Sequence, residues 1–345
     1  MLVSSLDRQV IGSWRKRALK RRASGPRIAV VGPCQSFGVA YAMRLLDLEA
    51  EIDRFSIVSK SWTDTKALAR TLETYDYVFC QDFAPGYIRG GGSSETLRNE
   101  LRKGIWFPLL IFAAYHPDLI LIYNPTQRNR LIHCGTGPYH SALVFFAYRA
   151  GLSVEAALRL FRREVFEAVG YFDVWQGSAT AMLEQGRQYG LDLGADFVRW
   201  TRRGCFMYSV NHPKPYVMYD IARMLLRRVG RPSEPIEFDT YAVDDIVRGY
   251  IFPVYPEIAE SYGASGSYIF KASHYRLSKD LGQFWDLPGY IEHCYGVYGR
   301  HRPEQLADYR VQYWLKDETT TELLRDFGGA KQARMRTYSR APNPP

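Results

Sequence analysis

Short apolar runs separated by helix-period segments dominate the first half of the chain. Residues 27–32 (Arg-Ile-Ala-Val-Val-Gly) form an apolar run closed by glycine, the pattern of a buried parallel strand. Residues 54–58 and 76–80 repeat it, and 118–123 is a fourth run. Apolar positions at helical spacing occupy 36–48, 63–73 and 95–103, with a glycine-rich loop at 86–94. From His140 onward helical patterns take over, through 141–150, 153–169, 176–190 and 216–229. Strands alternating with helices predict an α/β fold, a parallel sheet with flanking helices followed by a mainly helical C-terminal region. The pattern divides the chain into an arm over 1–27, an α/β domain over 28–230, a Tyr-rich region over 231–327 and a disordered tail over 328–345. Arg231-Pro232-Ser233-Glu234-Pro235 reads as the linker between the second and third of these. No stretch approaches about 18 uninterrupted apolar residues, so no transmembrane helix is expected.

Composition narrows the class. A chain of 345 residues, 46% of them hydrophobic, can bury a full core, which excludes global disorder. The net charge of +9 points to nucleic acid or membrane until it is mapped. Residues 1–27 hold eight bases and one acid, and 331–345 hold four bases and no acid, which leaves −2 for the body over 28–330. Nucleic-acid binding is therefore not expected. Within the arm, Leu6, Val10, Ile11, Trp14 and Leu19 recur at near-helical spacing, a pattern that fits peripheral contact with an anionic membrane surface. A basic arm that packs on its own domain or stays mobile is the simpler reading. The five cysteines include no CxxC and no pair at zinc-site spacing, so no metal is expected, and the chain reads as cytoplasmic with mostly buried structural thiols.

Candidate chemistry concentrates where the first strand turns into a helix. Gly32-Pro33-Cys34-Gln35-Ser36 puts a cysteine at a helix N-terminus, where free N–H groups and the helix dipole predict a lowered thiol pKa. The N–H groups of Gln35 and Ser36 there could receive an oxyanion. The competing reading is a small buried residue following a strand. A nucleophile needs a base. Of seven histidines, His212 in Asn211-His212-Pro213-Lys214 lies between a strand-like run and a Pro-started helix, and His116 before the fourth strand is the second candidate. Gln81-Asp82, ending the third strand, could orient a histidine or bind a hydroxyl. Gly135-Thr136-Gly137 is neither a Walker A loop nor GxGxxG, and an ordinary turn is the better reading.

Four motifs in order, Val30-Val31-Gly32-Pro33-Cys34-Gln35, Asp76 to Gln81, Phe107-Pro108 with Tyr115-His116-Pro117-Asp118, and Asn211-His212-Pro213, resemble the WcbI-type polysaccharide biosynthesis enzymes over about residues 28–230. That family is associated with bacterial capsule biosynthesis and binds coenzyme A, and its members are proposed to acetylate a sugar hydroxyl. The resemblance implies a cytoplasmic, acetyl-CoA-dependent O-acetyltransferase whose acceptor is a glycan or nucleotide sugar. It implies Cys34, Gln35 and His212 as active-site positions, with Gln81, His116 and Asn211 lining the site. Ser36 and Asp82 join the binding set, and Lys60, Arg128, Arg130 and Lys214 are candidates for the CoA phosphates from their charge beside strand ends. One departure matters: where the family typically has Gly-Asn-Cys-Gln, this chain has Pro33, which removes a backbone donor and a side-chain amide. Two routes stay open, a thioester on Cys34 or direct attack on acetyl-CoA driven by His212. A Cys-dependent esterase or thioesterase and a non-catalytic glycan- or nucleotide-binding module are the alternatives.

Overall fold

The apolar run at the start of the α/β pattern becomes β1 (Arg27–Gly32) in the computed structural model, which describes residues 25–58, 62, 64–88, 91–244, 246–273 and 283–329. Most of the basic arm (1–24), nearly all of the tail (330–345) and Lys60 lie outside the described residues. The described residues form two compact units.

The first unit comprises the residues through Ile111 together with Ala181–Trp200 and His212–Asp244. After β1 come α1 (Gln35–Leu46), β2 (Glu51–Ser56), α2 (Thr65–Leu72), β3 (Tyr77–Gln81), α3 (Ser94–Glu100) and β4 (Ile105–Phe107). The four strands make one parallel sheet in the order β2-β1-β3-β4. β2 lies three residues earlier than its apolar run predicts, because pairing of Arg27 with Glu51 through Gly32 with Ser56 sets its limits. β4 was not foreseen: a three-residue edge strand is too short for periodicity to reveal. Side chains alternate across the sheet. Ala29, Val31, Val78 and Cys80 pack with Leu68, Leu72 and Leu97 from α2 and α3. Fully buried Ile28, Val30 and Phe79 face the other way, where α1 crosses β1 and packs on the helix Pro215–Arg228. Gly38 permits that close approach, since a Cβ there would lie 2.8 Å from Met218 Cγ. Arg231 closes the unit with a two-pronged ion pair, Nε and Nη2 donating to Asp47 at 2.7 and 2.9 Å.

The second unit comprises Phe112–Thr180, Thr201–Asn211 and the residues from 245 onward. The predicted strand at 118–123 shortens to β5 (Leu119–Leu121) and pairs antiparallel with β6 (Tyr139–Ser141) rather than joining the parallel sheet. The reason lies in the connection: a tight turn at Cys134–Gly137 folds the chain back, where a parallel neighbour would need a crossover of about a dozen residues. The expected helix over 153–169 is two short ones, Val154–Leu158 and Arg163–Ala168, broken where Arg162 takes an extended conformation. Buried Asp118 organises this unit. Its carboxylate accepts from the Tyr171 hydroxyl (2.5 Å), the Tyr255 hydroxyl (2.6 Å) and the Leu143 N–H (3.0 Å) that starts the next helix. Helices carry the C-terminal region, with Leu287–Tyr298, Tyr309–Lys316 and Glu318–Phe327 the principal ones. No helix of the described residues is long and apolar enough to cross a membrane.

Candidate active site

The strand order fixes where a ligand site forms in the first unit. The chain runs from β1 to β2 on one side and returns to β3 on the other, so the direction of winding reverses between β1 and β3. Helices leave the carboxyl ends of those strands in opposite directions, and the crevice between them is the usual ligand position in open α/β sheets. Cys34 follows β1 at this point, and Gln81 ends β3 beside it.

The turn is built for rigidity. Gly32 takes φ +155°, and a Cβ there would come within 2.5 Å of Gln81 Cβ. The Pro33 carbonyl accepts from the Ser36 N–H (3.2 Å) and the Ser36 hydroxyl (2.6 Å), which anchors the first turn of α1. Two buried glutamines lock the turn to its neighbours. Gln35 Nε2 donates to the Leu110 carbonyl (2.8 Å), while its Oε1 accepts from the Leu110 N–H (3.1 Å) and from Gln81 Nε2 (2.9 Å). Gln81 Oε1 accepts from the Ser36 N–H at 3.0 Å. The Gln35 and Gln81 side chains are thus committed to holding the turn. The Ser36 amide, expected to face an oxyanion, is already taken.

Cys34 stands half-buried as the N-cap of α1 and makes no side-chain capping bond. Burial pushes its thiol above the ordinary value, against hydrogen bonds from the Gln35 and Cys34 backbone N–H groups and the positive charge of Arg54. This corrects the lowered pKa expected from a helix N-terminus: desolvation of the thiolate outweighs the amides. Those two amides nonetheless favour the charged form and mark where negative charge is best accommodated. Two neighbours were missed in the sequence. Arg54 on β2 reaches Cys34 electrostatically and lies over the Phe37 ring at 5.2 Å. The Tyr87 phenol, after β3, is raised by burial and by the negative charge of the Cys34 thiolate. The register that pairs Arg54 with Val30 was the signal for the first. Nothing local marks the second.

His212 leads into the helix Pro215–Arg228, and Lys214 is the N-cap of that helix. Burial holds the imidazole down to about 4, so it is neutral at pH 7. Gly38 in the first turn of α1 meets Met218 in the first turn of the 215–228 helix, so the leading turns of the two helices pack against each other. Cys34 and His212 are each attached to one of these turns. The Asp82 carboxylate bonds to the Tyr189 hydroxyl. Tyr189 lines a cavity of about 460 Å³ along β4 with Arg98, Trp106 and Arg228.

The remaining candidates belong to the second unit. Asn211 Oδ1 accepts from the Tyr139 hydroxyl (2.8 Å) and the Ser209 hydroxyl (3.2 Å). His116 is buried edge-on to Phe252, and its carbonyl accepts from the Leu119 N–H at 3.1 Å. Arg128 and Arg130 are exposed, Arg128 with a left-handed backbone at φ +49°. Cys34, Gln35, Ser36, Gln81, Asp82, His212 and Lys214 therefore share one unit, and His116, Arg128, Arg130 and Asn211 share the other.

Residues 27–234 match the family model described as "Polysaccharide biosynthesis enzyme WcbI", which covers more than half of the chain. No curated protein and no solved structure matches.

Proposed function

The chain belongs to the WcbI family of polysaccharide biosynthesis enzymes, and on that premise we propose that it transfers an acetyl group from acetyl-CoA to a hydroxyl of a glycan or nucleotide sugar. The observation that carries this reading is the contact between the leading turns of α1 and the Pro215–Arg228 helix. It sets a backbone-amide site at Cys34 and a neutral imidazole at His212 on one helix pair, at the switch point of the sheet. Neutral His212 takes the proton of the sugar hydroxyl as the oxygen attacks the thioester carbonyl. The tetrahedral oxyanion forms against the Cys34 and Gln35 N–H groups. The carbon–sulfur bond then breaks, and the CoA thiolate takes back the proton from the imidazolium. Cys34 lines the site in this route: a thiol held up by burial stays protonated at pH 7, and the thiol form is a poor nucleophile. Acetyl-CoA as donor places the reaction on the cytoplasmic side of the membrane.

The test is to incubate the full chain with acetyl-CoA, with and without oligosaccharide or nucleotide-sugar acceptors, following free CoA and the acceptor's mass. Release of CoA that requires the sugar, with one acetyl group gained by it, is the expected result. Release that ignores the sugar would make the enzyme a hydrolase, and no release with any acceptor would remove acetyl transfer.

A further inference from the structure

Three ligating side chains that the proposed reaction does not use meet inside the second unit. Cys134 Sγ, Cys294 Sγ and a ring nitrogen of His140 all lie within 4.8 Å of one another. His140 and Cys294 are fully buried and Cys134 is half-buried. Each rests on a defined frame. Cys134 opens the tight turn, its N–H donating to the Gly137 carbonyl (2.8 Å) and its carbonyl accepting from the Gly137 N–H (3.0 Å), with Gly137 at φ +68°. His140 is the central residue of β6, paired with Ile120. Cys294 is on the buried face of the helix Leu287–Tyr298, with Tyr290, Ile291 and Tyr298.

The imidazole is oriented as a ligand. Its Nε2 lies 3.1 Å from the Ile132 carbonyl, which can only accept, so Nε2 carries the proton and Nδ1 presents its lone pair. Metal-binding histidines are commonly fixed this way, with the second ring N–H donated to a carbonyl. Nδ1 now accepts from the Tyr298 hydroxyl at 3.0 Å. A tetrahedral zinc ion, with Zn–S near 2.3 Å and Zn–N near 2.0 Å, spaces its ligand atoms roughly 3.5–3.8 Å apart. The cluster reaches that spacing by contracting about 1.3 Å at most. Two sulfurs and an imidazole suit Zn²⁺, whereas Mg²⁺ and Ca²⁺ take oxygen ligands.

We propose that Cys134, His140 and Cys294 form a Zn²⁺ site that fastens the Leu287–Tyr298 helix to the β5–β6 ribbon. Two S–H protons leave to solvent as two Zn–S bonds form, and Nδ1 exchanges the Tyr298 hydrogen bond for the metal. An oxygen, from water or the released Tyr298 hydroxyl, takes the fourth position. Cys294 lies beyond the residues 27–234 that match the family, so the ion joins the C-terminal region to the family's own segment. None of this is visible in the spacing of positions 134, 140 and 294.

The experiment uses the full chain, purified under reducing conditions from zinc-supplemented medium. One Zn²⁺ per chain by atomic emission is expected, and exchange to Co²⁺ should bring thiolate-to-metal absorption and tetrahedral visible bands. Cys134→Ser and His140→Gln should each lower Zn²⁺ affinity by about 100-fold or more in chelator competition, a larger loss than removing an outer-shell partner brings. Cys205→Ser should leave affinity unchanged. Folding of each variant is checked by circular dichroism, and the wild-type metal content stands whether or not a variant folds. Three results would each overturn the proposal: a reconstituted wild type without stoichiometric Zn²⁺ or a cobalt spectrum, a Cys134–Cys294 disulfide in the unreduced chain, or equal loss of metal in Cys205→Ser.

Discussion

Cys34 and Cys134 are both half-buried cysteines at turns, yet their surroundings drive their thiols in opposite directions. At Cys34, burial dominates and raises the pKa, and only two backbone amides and the charge of Arg54 oppose it. At Cys134, burial also pushes upward, but the hydrogen bonds with Cys294 and Thr136 and the His140 ring beside them together hold the thiol well below its ordinary value. At Cys34 the helix N-terminus does not offset burial, whereas at Cys134 the surrounding side chains do. The residue in the place of a nucleophile is the poorer thiolate, which is why the direct route through His212 is the one proposed.

That contrast can be broken in several ways, and the greatest effect is expected at His212. His212→Ala should lower kcat/KM for sugar-dependent CoA release by about 10²–10⁴-fold with little change in Tm; retained activity would move the base elsewhere. Gly32→Ala comes next. Its Cβ would strike Gln81 Cβ at 2.5 Å in a backbone conformation that side chains rarely adopt, so denaturant melts should show a loss of about 2–4 kcal/mol. Gln81→Ala strips partners from the Ser36 N–H and Gln35 Oε1, and about 1–3 kcal/mol is expected, measured in the same melts. A smaller effect follows acidification. The unfolded His212 titrates near 6.5 and the folded one near 4, so the unfolded state binds more protons in that window. Stability should fall as pH drops from 6.5 towards 4, by about 2 kcal/mol after allowing for partial solvation, and His212→Asn should flatten the slope. The least change is expected from Cys34→Ser, within about tenfold of wild-type activity and with no acyl-enzyme by mass spectrometry, since a lining group contributes less than a general base. A large loss with a trappable thioester would restore the covalent route and erase the distinction between the two cysteines.

Much of the first unit could be read from residue order, and much of the second could not. β1, β3, α1 and the Pro215–Arg228 helix appear where periodicity places them, because each buries a contiguous stripe of its own residues. The same holds for the turn at Gly32 to Ser36. The roles of its side chains are another matter. Gln35 was expected among the catalytic residues, yet its amide is taken up by Leu110 and Gln81, bonds made across long stretches of chain. Arg54 and Tyr87 reach Cys34 only once β2 and β3 flank β1. β5 looked like a further parallel strand, since apolar content reports burial and carries no information on strand direction.

Residue order alone settled the α/β class, the position of the Cys34 turn and the family to which residues 27–234 belong, because local periodicity and short motifs are written in consecutive positions. Tertiary packing settled the protonation of Cys34 and His212, the duty of the two glutamines and the meeting of Cys134, His140 and Cys294. Desolvation and long-range contacts depend on what surrounds a group in space, and no spacing along the chain encodes them.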